Sequence, residues 1–296
     1  ILLVAFAIGL LVPAVIIFMK ENMNTKVRGR KDLENLSIPF IGEIPQYLSA
    51  KKKLGFNKHT QSVMKAIVVK EGNRNIINEA FRVLRSNIDF MAGKDSSQNV
   101  FMLTSFNPGS GKSFLAMNIA MSFAIKKKRI LVIDGDLRHG STSSYVDSPK
   151  AGLSDYLGNR VSDWKDIIVK DEKYDNLHII PIGTVPPNPT ELLEDGKLAT
   201  LIEVLRSEYD YIFIDCPPID IVADAQIIEK LVDRTVFVVR SGLLDRSMLP
   251  ELENIYQEKR FKNLSVILNG TESAGGRYGY RYGYRNGYSS YYGSKG

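Results

Sequence analysis

The chain has few of the residues that cross-link a protein or bind transition metals. Its 296 residues include one cysteine and three histidines. A single cysteine excludes a disulfide framework and any cysteine-rich metal site, and it fits a reducing compartment. The histidines (His59, His139 and His178) are scattered and lack metal-ligand spacing. The length allows one large domain or two smaller ones, and a hydrophobic content of 44% is ordinary for a folded core.

Charge is missing from residues 1–19, ILLVAFAIGLLVPAVIIFM. A helix of this length would extend about 28 Å, which is enough to cross a hydrocarbon core of about 30 Å. We predict a transmembrane helix here. The alternative, a signal peptide, is disfavoured because no basic segment precedes the apolar run and no small-x-small cleavage site follows it. Lys20, Lys26 and Arg28 come next, so the positive-inside rule predicts that the rest of the chain is cytoplasmic.

Residues 20–75 combine basic runs with the proline-containing stretch IPFIGEIPQ (38–46). We predict a juxtamembrane basic linker that contacts anionic lipid, and a solvated charge run explains the composition equally well. The formal net charge of +6 also fits nucleic-acid binding. Membrane contact and a basic tail account for the same excess, because much of it lies after residue 19 and near the C-terminus.

From residue 76 onward, helical patterns alternate with short apolar runs. Residues 76–91 repeat apolar side chains every three or four positions, which predicts a helix with one buried stripe. A second helix is predicted over 114–128, and six buried strands over 100–105, 129–134, 178–182, 211–215, 235–240 and 265–269. Continuously apolar strands between helices are typical of a parallel sheet covered on both faces. We therefore predict a doubly wound, mostly parallel α/β domain over residues 76–271.

The segment TSFNPGSGKS (104–113) lies between the first predicted strand and the first long helix of this sheet. Its end matches a Walker A loop, although the usual first glycine is absent, so the domain is predicted to be of the P-loop NTPase type. Glycines allow the backbone to curl around phosphates, and the helix N-terminus adds positive potential. The motif assigns Lys112 to the β- and γ-phosphates of ATP and Ser113 to Mg²⁺. The predicted nucleotide-binding residues are Pro108, Gly109, Ser110, Gly111, Lys112, Ser113 and Phe114.

Two further strands end in aspartate. Asp134 closes ILVID and is followed by Asp136 and Arg138, while Asp215 closes YIFID. Ligands of doubly wound sheets bind outside the carboxyl ends of the strands. Asp134 and Asp215, together with Ser113, are therefore predicted to hold Mg²⁺. Each aspartate alone could instead cap a helix, and Arg138 could form a surface ion pair. Cys216 has no histidine partner and is interpreted as a packing residue, and Asn269 either contacts adenine or caps a turn.

Half of the fourteen tyrosines lie in the last twenty residues, RYGYRYGYRNGYSSYYGSKG. The segment 272–296 has little to build a core with, and we predict that it is disordered. Its composition fits an RNA-binding or self-associating tract, and it equally fits a set of phosphorylation substrates. The candidate phosphoacceptors are Tyr278, Tyr280, Tyr282, Tyr284, Tyr288, Tyr291 and Tyr292.

These motifs together resemble the bacterial tyrosine kinases of exopolysaccharide and capsule assembly, a branch of the group that includes septum-placement and partition ATPases. The P-loop is followed by two acidic strand ends and a tyrosine cluster. Asn107 stands where partition ATPases carry a second lysine, and GTVPPNPTELL (183–193) resembles the loop between the family's acidic motifs. The resemblance spans residues 1–296. It implies that Glu79, Arg82 and Arg85 form a subunit contact, where the residues alone suggest a solvated helix face.

The resemblance implies ATP- and Mg²⁺-dependent phosphorylation of the tyrosine tail of a neighbouring subunit in a ring. Lys112, Asp134, Asp136 and Asp215 would be the catalytic residues, with Asp134 or Asp136 accepting the phenolic proton. Seven phosphates would add on the order of −10 to −14 charges to the tail, which we expect to loosen the ring. The implied location is the bacterial inner membrane, with the kinase domain in the cytoplasm. The implied partners are membrane lipid, a tyrosine phosphatase and polysaccharide assembly and export proteins, without nucleic acid.

Two other functions remain open on the sequence. One is an ATPase of the partition type that switches oligomerisation without kinase activity. The other is a polysaccharide co-polymerase whose P-loop serves assembly only. The tyrosine tail and the missing second lysine favour the kinase over the partition-type ATPase.

Overall fold

The strands of the domain form one sheet at its centre. A computed structural model describes residues 9, 11, 13, 24–47, 66–93, 98–219 and 223–272. The strands are β1 (Phe40–Pro45), β2 (Val100–Thr104), β3 (Ile130–Asp134), β4 (Val169–Lys170), β5 (Leu177–Ile180), β6 (Tyr211–Asp215), β7 (Arg234–Arg240) and β8 (Ser265–Thr271). Their order across the sheet is β1-β8-β7-β2-β6-β3-β5-β4, and every neighbouring pair is parallel except β4 and β5. The mostly parallel α/β sheet predicted from the sequence is confirmed.

Helices cover both faces of this sheet. They are α1 (Ile76–Ala92), α2 (Lys112–Ala124), α3 (Leu153–Leu157), α4 (Pro189–Glu194), α5 (Lys197–Glu208), α6 (Asp224–Glu229) and α7 (Leu249–Gln257). Short 3₁₀ turns occupy Arg30–Leu33, Ser143–Val146, Trp164–Ile167 and Arg246–Met248. Because side chains alternate along a strand, Phe101 and Leu103 of β2 join the core beneath α1 and α2, whereas Val100 and Met102 join the opposite core.

Local signals set the ends and the packing of α1. The Asn75 side chain accepts a hydrogen bond from the Asn78 amide and caps the first turn, and Gly93 ends the helix with a φ of 70°. The predicted apolar stripe faces inward, with Phe81, Leu84 and Ile88 fully buried. α2 differs, because nearly all of its residues are buried between the sheet and α1. An apolar pattern around the whole helix is expected of such a central position.

The segment assigned to a linker, residues 20–75, is partly built into the domain. β1 pairs with β8 as the edge strand, and Ile44 is fully buried. Upstream of β1, the Val27 amide donates to the Leu244 carbonyl oxygen at 2.9 Å. Prolines at 39 and 45 indicated a loop in the sequence. An edge strand tolerates proline, since one side of its backbone needs no partner.

Two predicted segments fall mainly outside the described residues. Of the transmembrane span 1–19, only residues 9, 11 and 13 are described, and of the tail 272–296 only residue 272. Among the described helices, none combines the length and the apolar character needed to cross a bilayer.

Packing of α1 on the edge of the sheet gives a test of the fold. We expect Leu84→Ala to lower the free energy of unfolding by about 2–5 kcal/mol, because it leaves a cavity in a fully buried site. Val83 directly precedes Leu84 on the same helix, and its side chain is exposed. Val83→Ala is therefore the matched control, with an expected change within about 0.5 kcal/mol. Chemical denaturation of both variants measures the difference, and equal losses would contradict the packing described here.

Candidate active site

The loop between β2 and α2 adopts backbone angles that glycine allows and other residues disfavour. Gly109 and Gly111 have φ values of 73° and 90°, in the left-handed region that side chains disfavour. Gly111 is also crowded, because an added Cβ would lie 2.3 Å from the Asn269 side-chain nitrogen. The loop leads directly into the N-terminus of α2, where unpaired backbone N–H groups and the helix dipole favour an anion. The loop therefore has the conformation of a phosphate-binding turn.

Two strands hold this loop in place from the side. The Asn269 side chain, near the end of β8, donates a hydrogen bond to the Ser110 carbonyl oxygen at 2.8 Å. Arg240, the last residue of β7, donates to the Gly109 carbonyl oxygen at 2.8 Å. In this structure the Asn269 side chain stabilises the phosphate-binding loop through this hydrogen bond, a role the sequence did not suggest. Arg240 was missed altogether, since a lone arginine at a strand end carries no motif.

Lys112 begins α2, and its side chain is largely buried. The ammonium group donates to the Ser105 hydroxyl at 3.3 Å. Burial lowers the pKa of Lys112, and the nearby Asp215 and Asp136 carboxylates oppose that shift. Ser105 lies seven residues before the lysine, just after β2, and the fold brings its hydroxyl group beside the ammonium. Desolvation of a cation in this way strengthens its attraction for an incoming phosphate.

Asp134 and Asp215 lie side by side at the carboxyl ends of β3 and β6, where they are register partners. Asp215 accepts hydrogen bonds from the hydroxyls of Ser113 at 2.5 Å and Thr142 at 2.8 Å. Asp134 accepts from the Ser143 amide at 2.6 Å and from its hydroxyl at 2.7 Å. All of these bonds go to one oxygen of each carboxylate. Thr142 and Ser143 were missed, since they follow Asp134 in a loop with no recognisable spacing.

The second oxygen of each carboxylate is buried and has no hydrogen-bond partner among the described residues. Burial and the neighbouring Asp215 raise the pKa of Asp134 to about 8, and burial also raises the pKa of Asp215. Two buried acids with free oxygens fit a divalent cation, which stabilises their ionised forms. The described residues contain no cluster of three or more potential His, Cys, Asp or Glu ligands. Mg²⁺ fits such a site, because it commonly uses one or two carboxylates and takes its remaining ligands from phosphate and water.

Asp136 lies in the loop after β3, close to the same edge of the sheet. It is mostly buried and accepts hydrogen bonds from the backbone amides of Arg138 at 3.2 Å and His139 at 3.3 Å. Arg138 is anchored in turn by Asp224, whose fully buried carboxylate lies 3.1 Å from the guanidinium. The sequence left open a surface ion pair for Arg138. The partner of Arg138 is instead a buried acid, and this contact anchors the loop that carries Asp136.

Other predicted residues lie farther from this cluster. The Phe114 ring is packed in the core against Phe81, with centroids 6.0 Å apart. Pro108 is exposed at the tip of the loop. Cys216 is fully buried, as its interpretation as a packing residue predicts. The seven candidate tyrosines lie outside the described residues.

Glu79 and Arg82 pair with each other on α1, at 2.5 Å, with both side chains partly exposed. Arg85 donates to the Ser122 carbonyl oxygen of α2 at 2.7 Å. The predicted role of these three residues in a contact between subunits stays a prediction, because the structure contains one chain.

Comparisons with known proteins identify relatives of this site and fold. A family model for the AAA domain matches residues 98–229. The tyrosine-protein kinase YwqD of Bacillus subtilis is 34% identical over 210 residues, which cover 70% of this chain and 87% of that protein. The kinase domain of the Escherichia coli tyrosine kinase ETK superposes with a TM-score of 0.72 at 28% identity, over 87% of this chain and 100% of that structure.

Some relatives are much longer than this chain. A Klebsiella pneumoniae protein, also named among the tyrosine-protein kinases, is 32% identical over 289 residues. The match covers 94% of this chain and 39% of that protein. The chain thus spans well under half of this relative and most of the Bacillus protein.

Crowding at Gly111 predicts a specific loss of nucleotide binding. Gly111→Ala should weaken binding of a fluorescent ADP with Mg²⁺ by more than about tenfold, because the new methyl group displaces Asn269 from the loop. Gly196 has a similar φ of 81°, but an added Cβ there meets nothing within 4 Å. Gly196→Ala is therefore the control for backbone strain alone, and we expect it to bind normally. Equal affinities of the two variants would contradict the role assigned to Asn269.

The raised pKa of Asp134 predicts proton release when Mg²⁺–ADP binds. At pH 7 the carboxyl with a pKa of about 8 is mostly protonated, and a cation favours its ionised form. Binding should therefore release about one proton at pH 7. At pH 9.5 Asp134 is already ionised, and this release should vanish. Calorimetry in buffers of different ionisation enthalpy measures the number. Identical release at both pH values would show that Asp134 does not titrate in this way.

Proposed function

The chain belongs to the family of bacterial tyrosine-protein kinases, and we propose that it transfers the terminal phosphate of ATP to tyrosines in the tails of neighbouring copies. The observation that carries this proposal is the pair of adjacent buried carboxylates, Asp134 and Asp215, beside a phosphate-binding loop. The tyrosine-rich tail supports this role as acceptor, since seven phenolic hydroxyls lie within residues 278–292.

Different residues of the site would bind the phosphates and the metal ion during phosphoryl transfer. The loop from Pro108 to Ser113 and the Lys112 ammonium would bind the phosphates and neutralise their charge. Asp134, Asp215 and Ser113 would hold Mg²⁺, directly or through water. Bound there, the ion supplies positive charge to the phosphate oxygens during transfer. Phosphoryl transfer depends mainly on alignment and charge neutralisation, and these residues provide both.

The proton of the attacking tyrosine needs an acceptor. As its hydroxyl oxygen forms a bond to the terminal phosphorus, the bond to the ADP oxygen breaks, and the phenolic proton passes to a base. We assign that base to Asp134 or Asp136. Asp134 would accept the proton in its ionised form, which a bound cation favours. Asp136 retains some exposure at the loop, where a substrate can reach it.

The proposal extends to the cellular setting. Residues 1–19 carry no charge and precede a basic segment, which supports anchoring in the bacterial inner membrane with the kinase domain in the cytoplasm. Glu79, Arg82 and Arg85 would join copies into a ring in which each tail enters a neighbouring site. The names of related proteins support a role in capsule or exopolysaccharide assembly. A tyrosine phosphatase, membrane lipid and polysaccharide export proteins are the partners that this role would require.

Mixing two variants tests transfer between copies. The acceptor is Lys112→Met, which keeps its tail but lacks the phosphate-binding ammonium. The donor keeps Lys112 and has all seven tail tyrosines replaced by phenylalanine. We expect mass spectrometry to find phosphotyrosine on the acceptor tail after incubation of the mixture with ATP and Mg²⁺, and none when either variant is incubated alone.

Two results would count against the proposal. No phosphotyrosine in the mixture, with wild-type protein phosphorylating itself, would show that each copy uses its own tail. No phosphotyrosine in wild-type protein would favour an ATPase switch or an assembly role without kinase activity.

A further inference from the structure

A small cavity lies on α1, away from the phosphate-binding loop. It has a volume of about 200 Å³ and lies between α1, the turn that precedes it and the C-terminal part of α2. Ser122, at the cavity, is ten residues along α2 from Lys112. At the rise of an α-helix this separation is about 15 Å. The cavity is therefore distinct from the nucleotide site.

Cations dominate the lining of this cavity. Lys70, Arg82, Arg85 and Lys126 line it, opposed by the single carboxylate of Glu71. Burial lowers the pKa of Arg85, the neighbouring Arg82 cation adds to that shift, and the Asp89 carboxylate opposes it. Four cations against one carboxylate in the lining attract an anion, and the planar guanidinium groups suit phosphate oxygens.

The cavity also has an apolar part and a matching size. Val69 and Ile125 contribute to its lining. Drug-sized ligands occupy about 300–1,000 Å³, so this smaller space suits one phosphate group and part of an aromatic ring. The combination fits an aryl phosphate better than a nucleotide.

We propose that this cavity binds phosphotyrosine from the tail of this chain, as a docking site for the product of the reaction. The inference rests on the proposed kinase function as the source of the phosphate. The tail can reach it: Tyr278 and Tyr292 are 7 and 21 residues beyond Thr271, the end of β8. Those lengths allow spans of up to roughly 25 and 70 Å.

Binding at this cavity would compete with an existing ion pair. Arg82 now pairs with the Glu79 carboxylate at 2.5 Å. A phosphotyrosine carries about −1.5 to −2 charges and three acceptor oxygens, so it competes strongly with a single carboxylate for the same guanidinium. If Glu79 and the arginines join subunits, phosphorylated tails would open the ring by occupying Arg82. Opening of the ring would then depend on one named contact, the Arg82 guanidinium, and not on charge repulsion between tails in general.

Binding of a synthetic phosphopeptide tests the site without kinase activity. The probe is a fluorescent peptide of residues 277–292 with phosphate on Tyr284. It is titrated with the 296-residue chain carrying Lys112→Met, in detergent, and binding is followed by anisotropy. The test variant adds Lys70→Gln and Lys126→Gln, two exposed lysines of the cavity. The matched control adds Lys150→Gln and Lys230→Gln, two exposed lysines elsewhere on the domain. Circular dichroism verifies that both remain folded.

We expect the cavity variant to bind the phosphopeptide at least about tenfold more weakly than the control variant. The unphosphorylated peptide should not bind either protein. Equal affinity of both variants for the phosphopeptide would overturn the site. Competition by inorganic phosphate at the peptide's own affinity would overturn the assignment to the tail and indicate a general anion site. Because the phosphate is supplied on the probe, failure here is distinct from failure of the mixing experiment.

Discussion

The site depends on the packing of β3 beside β6, which brings Asp134 and Asp215 into contact at the edge of a buried sheet. Two desolvated carboxylates on neighbouring strands destabilise each other's ionised forms, and the second oxygen of each has no partner among the described residues. The surrounding hydroxyls of Ser113, Thr142 and Ser143 satisfy one oxygen of each acid and orient both. These two uncompensated carboxylates are the physical reason to expect a cation, and the phosphate-binding loop that follows β2 lies beside them.

The phosphate-binding loop is supported by more than its own motif. Arg240 and Asn269 hold its carbonyl oxygens from β7 and β8. β8 in turn pairs with β1, the edge strand that follows the basic N-terminal segment. A continuous set of hydrogen-bonded strands thus joins the segment nearest the predicted membrane anchor to the loop that would bind ATP. The proposed phosphotyrosine cavity lies on α1, which packs on that same edge strand.

Much of this could be predicted from local patterns. The apolar runs predicted six of the eight strands, because a parallel strand buried on both faces is apolar throughout. β1 was assigned to a linker, since its prolines and glycine resemble a turn and an edge strand shows weak periodicity. β4 has two residues, too few for any periodicity. Asp134 and Asp215 could be predicted because each ends an apolar run, and Lys112 because it stands in the glycine-rich GKS motif.

The sequence by itself determined the fold class, the glycine-rich loop and the acidic strand ends, since these depend on backbone conformation and on periods of a few residues. Only the tertiary structure decided which distant side chains meet there. Ser105 beside Lys112, Asn269 on the Ser110 carbonyl and Asp224 behind Arg138 are separated by up to 159 positions in the chain. Their contacts follow from the order of strands in the sheet, which no local pattern encodes.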